Sequence, residues 1–344
     1  MNWRSAVLLG GGLMAASTVA WPVLGQGAEA FYQNKQIRLL VGNPAGGDYD
    51  LGARTLARFM VRHMPGAPTI VVQNMPGASG IVVANHLYNV APKDGTVFGS
   101  FSRNVPSQAV LGRDTIKADP RQYGWVGGSS LPSRVCIINA SSPVKSFADA
   151  FTTEVIVGSS GAGSGLSILP TVLNKVLGTK FRVVEGYKGS NDVVLAMERG
   201  EAEGVCHTFS SFRNAHADLI TQGKVRILFN SEETVFPFAP NIPSVHDFAK
   251  TEQQKQLMRF AFSSTEFGRP YVTPPTVPGE RLAALRKAFA DTLADAELKA
   301  EADKLNLDMT YRPPEELERL LAKLYATPES IIKRALELMP SAAD

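Results

Sequence analysis

The 344-residue chain weighs 37.0 kDa and carries 35 Lys+Arg against 32 Asp+Glu, a formal net charge of +3. With 44% hydrophobic residues, 19% charged residues and two cysteines, it is too apolar for a disordered chain and too cysteine-poor for a disulfide scaffold. The charge balance supplies no positive field for nucleic acid or an anionic membrane surface, and the length suits two domains of about 150 residues each.

Residues 1–30 read as a cleavable signal peptide. A single base, Arg4, precedes an apolar run from Ala6 to Ala20, and Ala28-Glu29-Ala30 fits the small-residue cleavage pattern, with Gly25-Gln26-Gly27 as a second candidate. The run is shorter than the roughly 20 residues a membrane span requires. Its removal leaves 314 residues at an unchanged +3, expected in the periplasm. That compartment is oxidising for Cys136 and Cys206, which sit in short apolar runs. They are either paired across neighbouring strands or two buried small apolar residues.

Residues 36–41 read as a buried strand, followed by a glycine loop and a helix with Leu51, Thr55, Leu56, Phe59 and Met60 on one face. A strand over 69–72, a loop over 75–80, a helix over 81–90 and a strand over 96–101 repeat the pattern. Such alternation predicts a mostly parallel sheet with helices on both faces. A second series has strands at 135–138, 155–157, 181–184, 204–209 and 225–229, with helices at 146–151, 166–177 and 192–199. Residues 279–339 read as amphipathic helix, with Leu282, Leu285, Phe289 and Leu293 spaced for burial and Pro313-Pro314 opening a new helix. The expected architecture is α/β with two lobes. Lobe 1 comprises 31–132 plus 239–344, lobe 2 comprises 133–238, and the crossings near 131–134 and 237–242 form a hinge.

Two glycine-rich loops, 43–50 and 158–165, each join a strand to a helix start. Glycines admit close backbone approach, and the first N–H groups of a helix lack intrahelical partners, so such a loop suits a carboxylate or phosphate. The plainer reading is that Asp50 and Ser164 cap helices. One such loop per lobe, facing across a hinge, favours a clamshell for a small anion. Catalytic signatures are missing: the second loop lacks the third glycine of the dinucleotide fingerprint, and no P-loop, nucleophile elbow or zinc spacing occurs. Adjacent strand residues point to opposite faces, which disfavours Cys206–His207 as a catalytic pair.

The run IRLLVGNPAGGDYDLGAR over 37–54 resembles the opening of the Bug/TctC family, the periplasmic solute-binding proteins of tripartite tricarboxylate transporters. VVQNMPGASG (71–80), APKDG (91–95), GSSGAGS (158–164), GYKGS (186–190) and NIPS (241–244) follow in family order. The resemblance implies a two-lobe periplasmic-binding-protein fold, the type II-like Venus flytrap, with no catalysis, cofactor or metal. It implies a monomer whose partners are a small carboxylate (a di- or tricarboxylate, amino acid or aromatic acid) and the transporter's membrane subunits.

Carried over by position, the resemblance implies that Ala45, Gly46, Gly47 and Asp50 hold the ligand from lobe 1, with Asp48 and Tyr49 as further candidates in the same loop, and that Ser159, Gly161, Gly163 and Ser164 hold it from lobe 2. Ser79 is a further candidate. This chain has Gly42-Asn43 where the family usually has Pro-Phe, and two aspartates in the loop where one is usual. Tyr49, Phe209 and Phe212 either line the cleft or pack in the core. Arg103 and Arg213 either grip a carboxylate or are solvated loop residues. A secreted hydrolase or lyase using Asp50 and a lobe-2 serine, and a ligand sensor for a signalling partner, are the competing readings.

Overall fold

A computed structural model describes residues 27–338, apart from 113, 131–132, 162–163, 234–235 and 237–238. Most of the signal-peptide segment, Gly163 and part of each expected hinge crossing lie outside the described residues. In chain order the strands are β1 (Gln36–Val41), β2 (Thr69–Asn74), β3 (Val97–Ser100), β4 (Gly124–Gly128), β5 (Arg134–Asn139), β6 (Val155–Gly158), β7 (Phe181–Val184), β8 (Gly204–Thr208), β9 (Val225–Asn230) and β10 (Pro270–Thr273). They form two sheets, ordered β2-β1-β3-β10-β4 and β7-β6-β8-β5-β9.

The two orders are the same pattern. Each sheet opens with three parallel strands, and its next strand is inserted antiparallel. The inserted strand is in each case the first one laid down after the chain arrives from the other sheet: β5 follows β4, and β10 follows β9. Four of the five strands in each sheet therefore run the same way, the mostly parallel arrangement expected, with one antiparallel strand that the expectation did not include. A buried apolar run has the same composition whichever way it points, so its direction is invisible to periodicity.

Helices cover both sheets because their apolar stripes need burial. Leu56, Phe59 and Met60 of helix Asp48–Met60 and Leu285 and Phe289 of helix Gly279–Ala294 pack on Ile37, Leu39, Val41, Phe98 and Tyr271. Each such side chain contributes about 1.5–3 kcal/mol when fully buried. Leu51 departs from the predicted face, being 39% exposed. The opposite face of the first sheet joins a cluster that continues into the second, through Trp125, Phe267, Met258, Leu169 and Phe229.

The strand expected over 204–209 stops at Thr208, where Phe209 begins helix Phe209–Thr221. The carboxyl-terminal segment divides into helices Gly279–Ala294, Ala296–Lys304, Pro314–Tyr325 and Glu329–Leu338. Cys136 and Cys206 are register partners on antiparallel β5 and β8, 3.9 Å apart at Cα, and are joined by a disulfide. Among the described residues no helix is long and apolar enough to cross a membrane.

Candidate ligand-binding cleft

In an open α/β sheet, ligands bind outside the carboxyl ends of the strands where the strand order reverses. In the first sheet the chain steps from β1 to β2 and returns on the other side as β3, so the crevice lies beyond β1 and β3. In the second, the same reversal puts it beyond β6 and β8. The residues following these four strands are 42–48, 101–103, 159–164 and 209 onward.

After β1, Ala45, Gly46, Gly47 and Asp48 are exposed and lead into helix Asp48–Met60. Gly46 sits at φ +83°, which glycine adopts without strain. Asp50 does not face this surface. It is 2% exposed. Its carboxylate accepts hydrogen bonds from the Gly46 N–H at 2.8 Å, Asn74 Nδ2 at 2.8 Å and Arg54 Nε at 3.0 Å. Arg54 Nη2 also donates to Asn74 Oδ1 at 2.9 Å, and Asn74 Nδ2 to the Asn43 carbonyl at 3.0 Å. Burial would raise the Asp50 pKa, but these hydrogen bonds outweigh it and hold the carboxyl below its usual value. Asp50 and the Gly46 N–H are thus committed to each other, and the pair shapes the loop from behind.

Tyr49 also positions backbone. Its hydroxyl accepts from the Arg103 N–H at 3.1 Å and donates to the Gly268 carbonyl at 3.3 Å, tying the first turn of the helix to the segments after β3 and before β10. Ser79 lies in the 3-10 turn Ala78–Gly80.

After β6, hydroxyls do the corresponding work. Ser159 is fully buried, its Oγ lies 2.8 Å from Ser164 Oγ, and it donates to the Gly161 carbonyl at 3.1 Å. Ser167 Oγ donates to the same carbonyl at 2.8 Å. Gly161, at φ +151°, allows the sharp turn this requires. Ser159 and Ser164 therefore staple the loop that leads into helix Gly165–Leu177.

A cleft of about 460 Å³ spans the two sheets, lined by Asp48 and Arg269 on one side and by Ser190, Asn191 and His207 on the other. Burial, then the charges of Arg134 and Arg103, push the His207 pKa down to about 4, leaving it neutral near pH 7. With Cys206 in a disulfide, no thiolate is available beside it. A cavity of about 470 Å³ lies elsewhere, between helices Glu252–Glu266 and Pro314–Tyr325. It touches none of the switch-point loops, whereas the 460 Å³ cleft includes Asp48 after β1 and Ser210 and Ser211 after β8.

Phe209 and Phe212 are 5% and 1% exposed and belong to a core cluster with Val135, Val193 and Leu219, so packing is their role. Arg213 is exposed, its guanidinium 6.0 Å from the Phe209 ring centroid. Arg134 escaped the sequence reading. It begins β5, and because that strand runs antiparallel to β8, its register partner is Thr208 at the carboxyl end of β8. Its Nη1 donates to the Gly165 carbonyl. Among the described residues no three His, Cys, Asp or Glu side chains are grouped so as to hold a metal ion.

The family of tripartite tricarboxylate transporter receptors, TctC, matches residues 53–336. The chain belongs to this family. A curated relative from Cupriavidus necator, a UPF0065 protein from the gbd 5′ region, is 24% identical over 331 residues, 93% of this chain and 94% of the relative. A solved TctC solute-binding protein from Polaromonas superposes with a TM-score of 0.69 at 20% identity, covering 88% of this chain and 99% of the other. An R. palustris protein solved with adipate gives 0.57 at 20% identity, covering 88% and 97%. The fold is that of two-lobe periplasmic binding proteins, and the family is one of binding receptors, not enzymes.

Proposed function

We propose that this TctC-family receptor captures a small organic carboxylate in the cleft between its sheets and delivers it to the membrane subunits of a tripartite tricarboxylate transporter. The observation that carries the reading is a cleft of ligand size that touches a switch-point segment of each sheet, Asp48 after β1 and Ser210 and Ser211 after β8. Residues 31–132 with 239–344 form one lobe and 133–238 the other, hinged at the crossings. Residues 1–30 direct export to the periplasm and are removed, and the mature protein works as a monomer.

Ligand is held by the exposed backbone of Ala45, Gly47 and Asp48 and by the loop from Ser159 to Ser164, with Asp50, Tyr49 and Gly46 shaping the first loop and Ser79 flanking it. A ligand that touches both lobes only when they approach stabilises the closed form by that difference in contacts. The adipate complex of the R. palustris protein supports the ligand class. A thermal-shift screen of dicarboxylates, tricarboxylates, amino acids and aromatic acids tests the proposal. Ligand at 100 times its Kd adds about 2.7 kcal/mol to stability, so at least one acid should raise the melting temperature by several degrees. No shift with any acid in the screen would count against carboxylate capture.

A further inference from the structure

We propose that Arg103 and Arg134 grip a carboxylate of the ligand from two sides, one guanidinium following β3 of the first sheet and the other opening β5 of the second, so that the ligand's negative charge draws the lobes together. The inference rests on the receptor reading above and assigns the residues that make ligand charge matter.

Three observations lead to it. First, both arginines stand at carboxyl ends of switch-point strands: Arg103 comes three residues after the end of β3, and Arg134 pairs in register with the last residue of β8. Second, each keeps a buried N–H without a partner among the described residues, Nη1 in Arg103 and Nε in Arg134. An unsatisfied buried donor on a charged group is costly, and a carboxylate oxygen is the acceptor it suits best. Third, room is made for Arg134: a Cβ on Gly165 would lie 2.7 Å from its Nη2 and 3.0 Å from its Nη1.

Charge works in the same direction. Burial and the neighbouring Arg103 lower the Arg134 pKa to about 10, so it stays a cation at neutral pH beside another cation. The acidic neighbour of Arg134 is Glu232, whose Oε1 is buried and unpartnered. Burial and the nearby Glu266 push the Glu232 carboxyl up to about 8, against the pull of Arg312 and Arg134. Glu232 is thus mostly protonated near pH 7 and does not neutralise the pair. The charge of Arg103 acts on Arg134, so the two cations repel, and an anion entering between them would relieve that repulsion.

The test titrates straight-chain dicarboxylates of three to eight carbons, and their monoamides, into the wild-type protein and into the Arg103→Gln, Arg134→Gln, Arg134→Lys and Gly165→Ala variants. Calorimetry reads affinity and small-angle scattering reads compaction. The wild type should bind its preferred diacid about tenfold or more tightly over the monoamide. Arg103→Gln and Arg134→Gln should each abolish that preference and the compaction, and Arg134→Lys should restore part of both. Gly165→Ala displaces the flexible guanidinium tip without removing it, and should weaken the diacid with the helix intact by circular dichroism. Diacid binding within twofold of wild type in both Gln variants would overturn the grip and leave the receptor reading standing. No binding of any diacid by the wild type would also overturn it, with the wider acid screen deciding the receptor reading separately.

Discussion

The two switch-point loops solve one problem with different chemistry. The loop after β1 is held by a buried carboxylate, Asp50, that satisfies the Gly46 N–H, Asn74 and Arg54 at once. The loop after β6 is held by the hydroxyls of Ser159, Ser164 and Ser167, with no charge. A carboxylate makes stronger hydrogen bonds but must keep its partners to stay buried, whereas a hydroxyl can donate and accept and costs less to leave unpaired. The sheets differ in fastening as well: the second has the Cys136–Cys206 bond across β5 and β8.

That contrast can be broken at its strongest point first. The disulfide links residues 70 apart, a separation for which loop entropy gives about 4 kcal/mol. Reductant, or Cys136→Ser with Cys206→Ser, should lower stability by about that amount, with hydrogen exchange rising in β5 and β8 before β1 and β3. Equal loss of protection in both sheets would mean that they unfold as one unit.

Next in size, Asp50→Ala leaves the Gly46 N–H and Asn74 amide without their acceptor and should cost about 2–3 kcal/mol in denaturant unfolding. The pH dependence has a definite sign. The folded-state pKa of Asp50 is depressed, so its contribution is complete above the ordinary carboxylate range and is lost as pH falls below about 4. Asp50→Asn should flatten that acid limb of the stability curve.

Ser159→Ala removes one neutral hydroxyl from a cluster in which Ser164 and Ser167 remain, so about 1 kcal/mol is expected. A loss equal to that of Asp50→Ala would erase the distinction between the two staples. Glu232 is read as a pH slope rather than as a single stability loss. Its folded-state pKa of about 8 is raised, so between about pH 4 and 8 the native state holds a proton the unfolded chain releases, and stability falls as pH rises across that window. Glu232→Gln should remove this slope and raise the melting temperature at pH 8 while leaving it little changed at pH 4. The charged groups acting on Glu232 are Glu266, Arg312 and Arg134, and a steeper slope in the variant would implicate Glu266 instead.

The strand–glycine loop–helix units around 36–60 and 155–177 were legible because hydrophobic period and glycine placement are local signals. So was the position of the two glycine loops that follow β1 and β6. The roles within them were not: Asp50 and Ser159 read as ligand contacts, but their partners Asn74, Gly161 and Ser167 are fixed by how the loop folds back. Arg134 was illegible for a different reason. It reaches the carboxyl end of β8 only because β5 is inserted antiparallel, and no local pattern around residue 134 records that direction.

The most direct measurement is a crystal structure of the protein with the tightest acid from the screen. The account predicts one carboxylate ligand between the sheets, within hydrogen-bond distance of the backbone around Gly47 and of the Ser159–Ser164 loop together. An acid bound to one sheet only, or seated in the cavity beside helix Pro314–Tyr325, would contradict it.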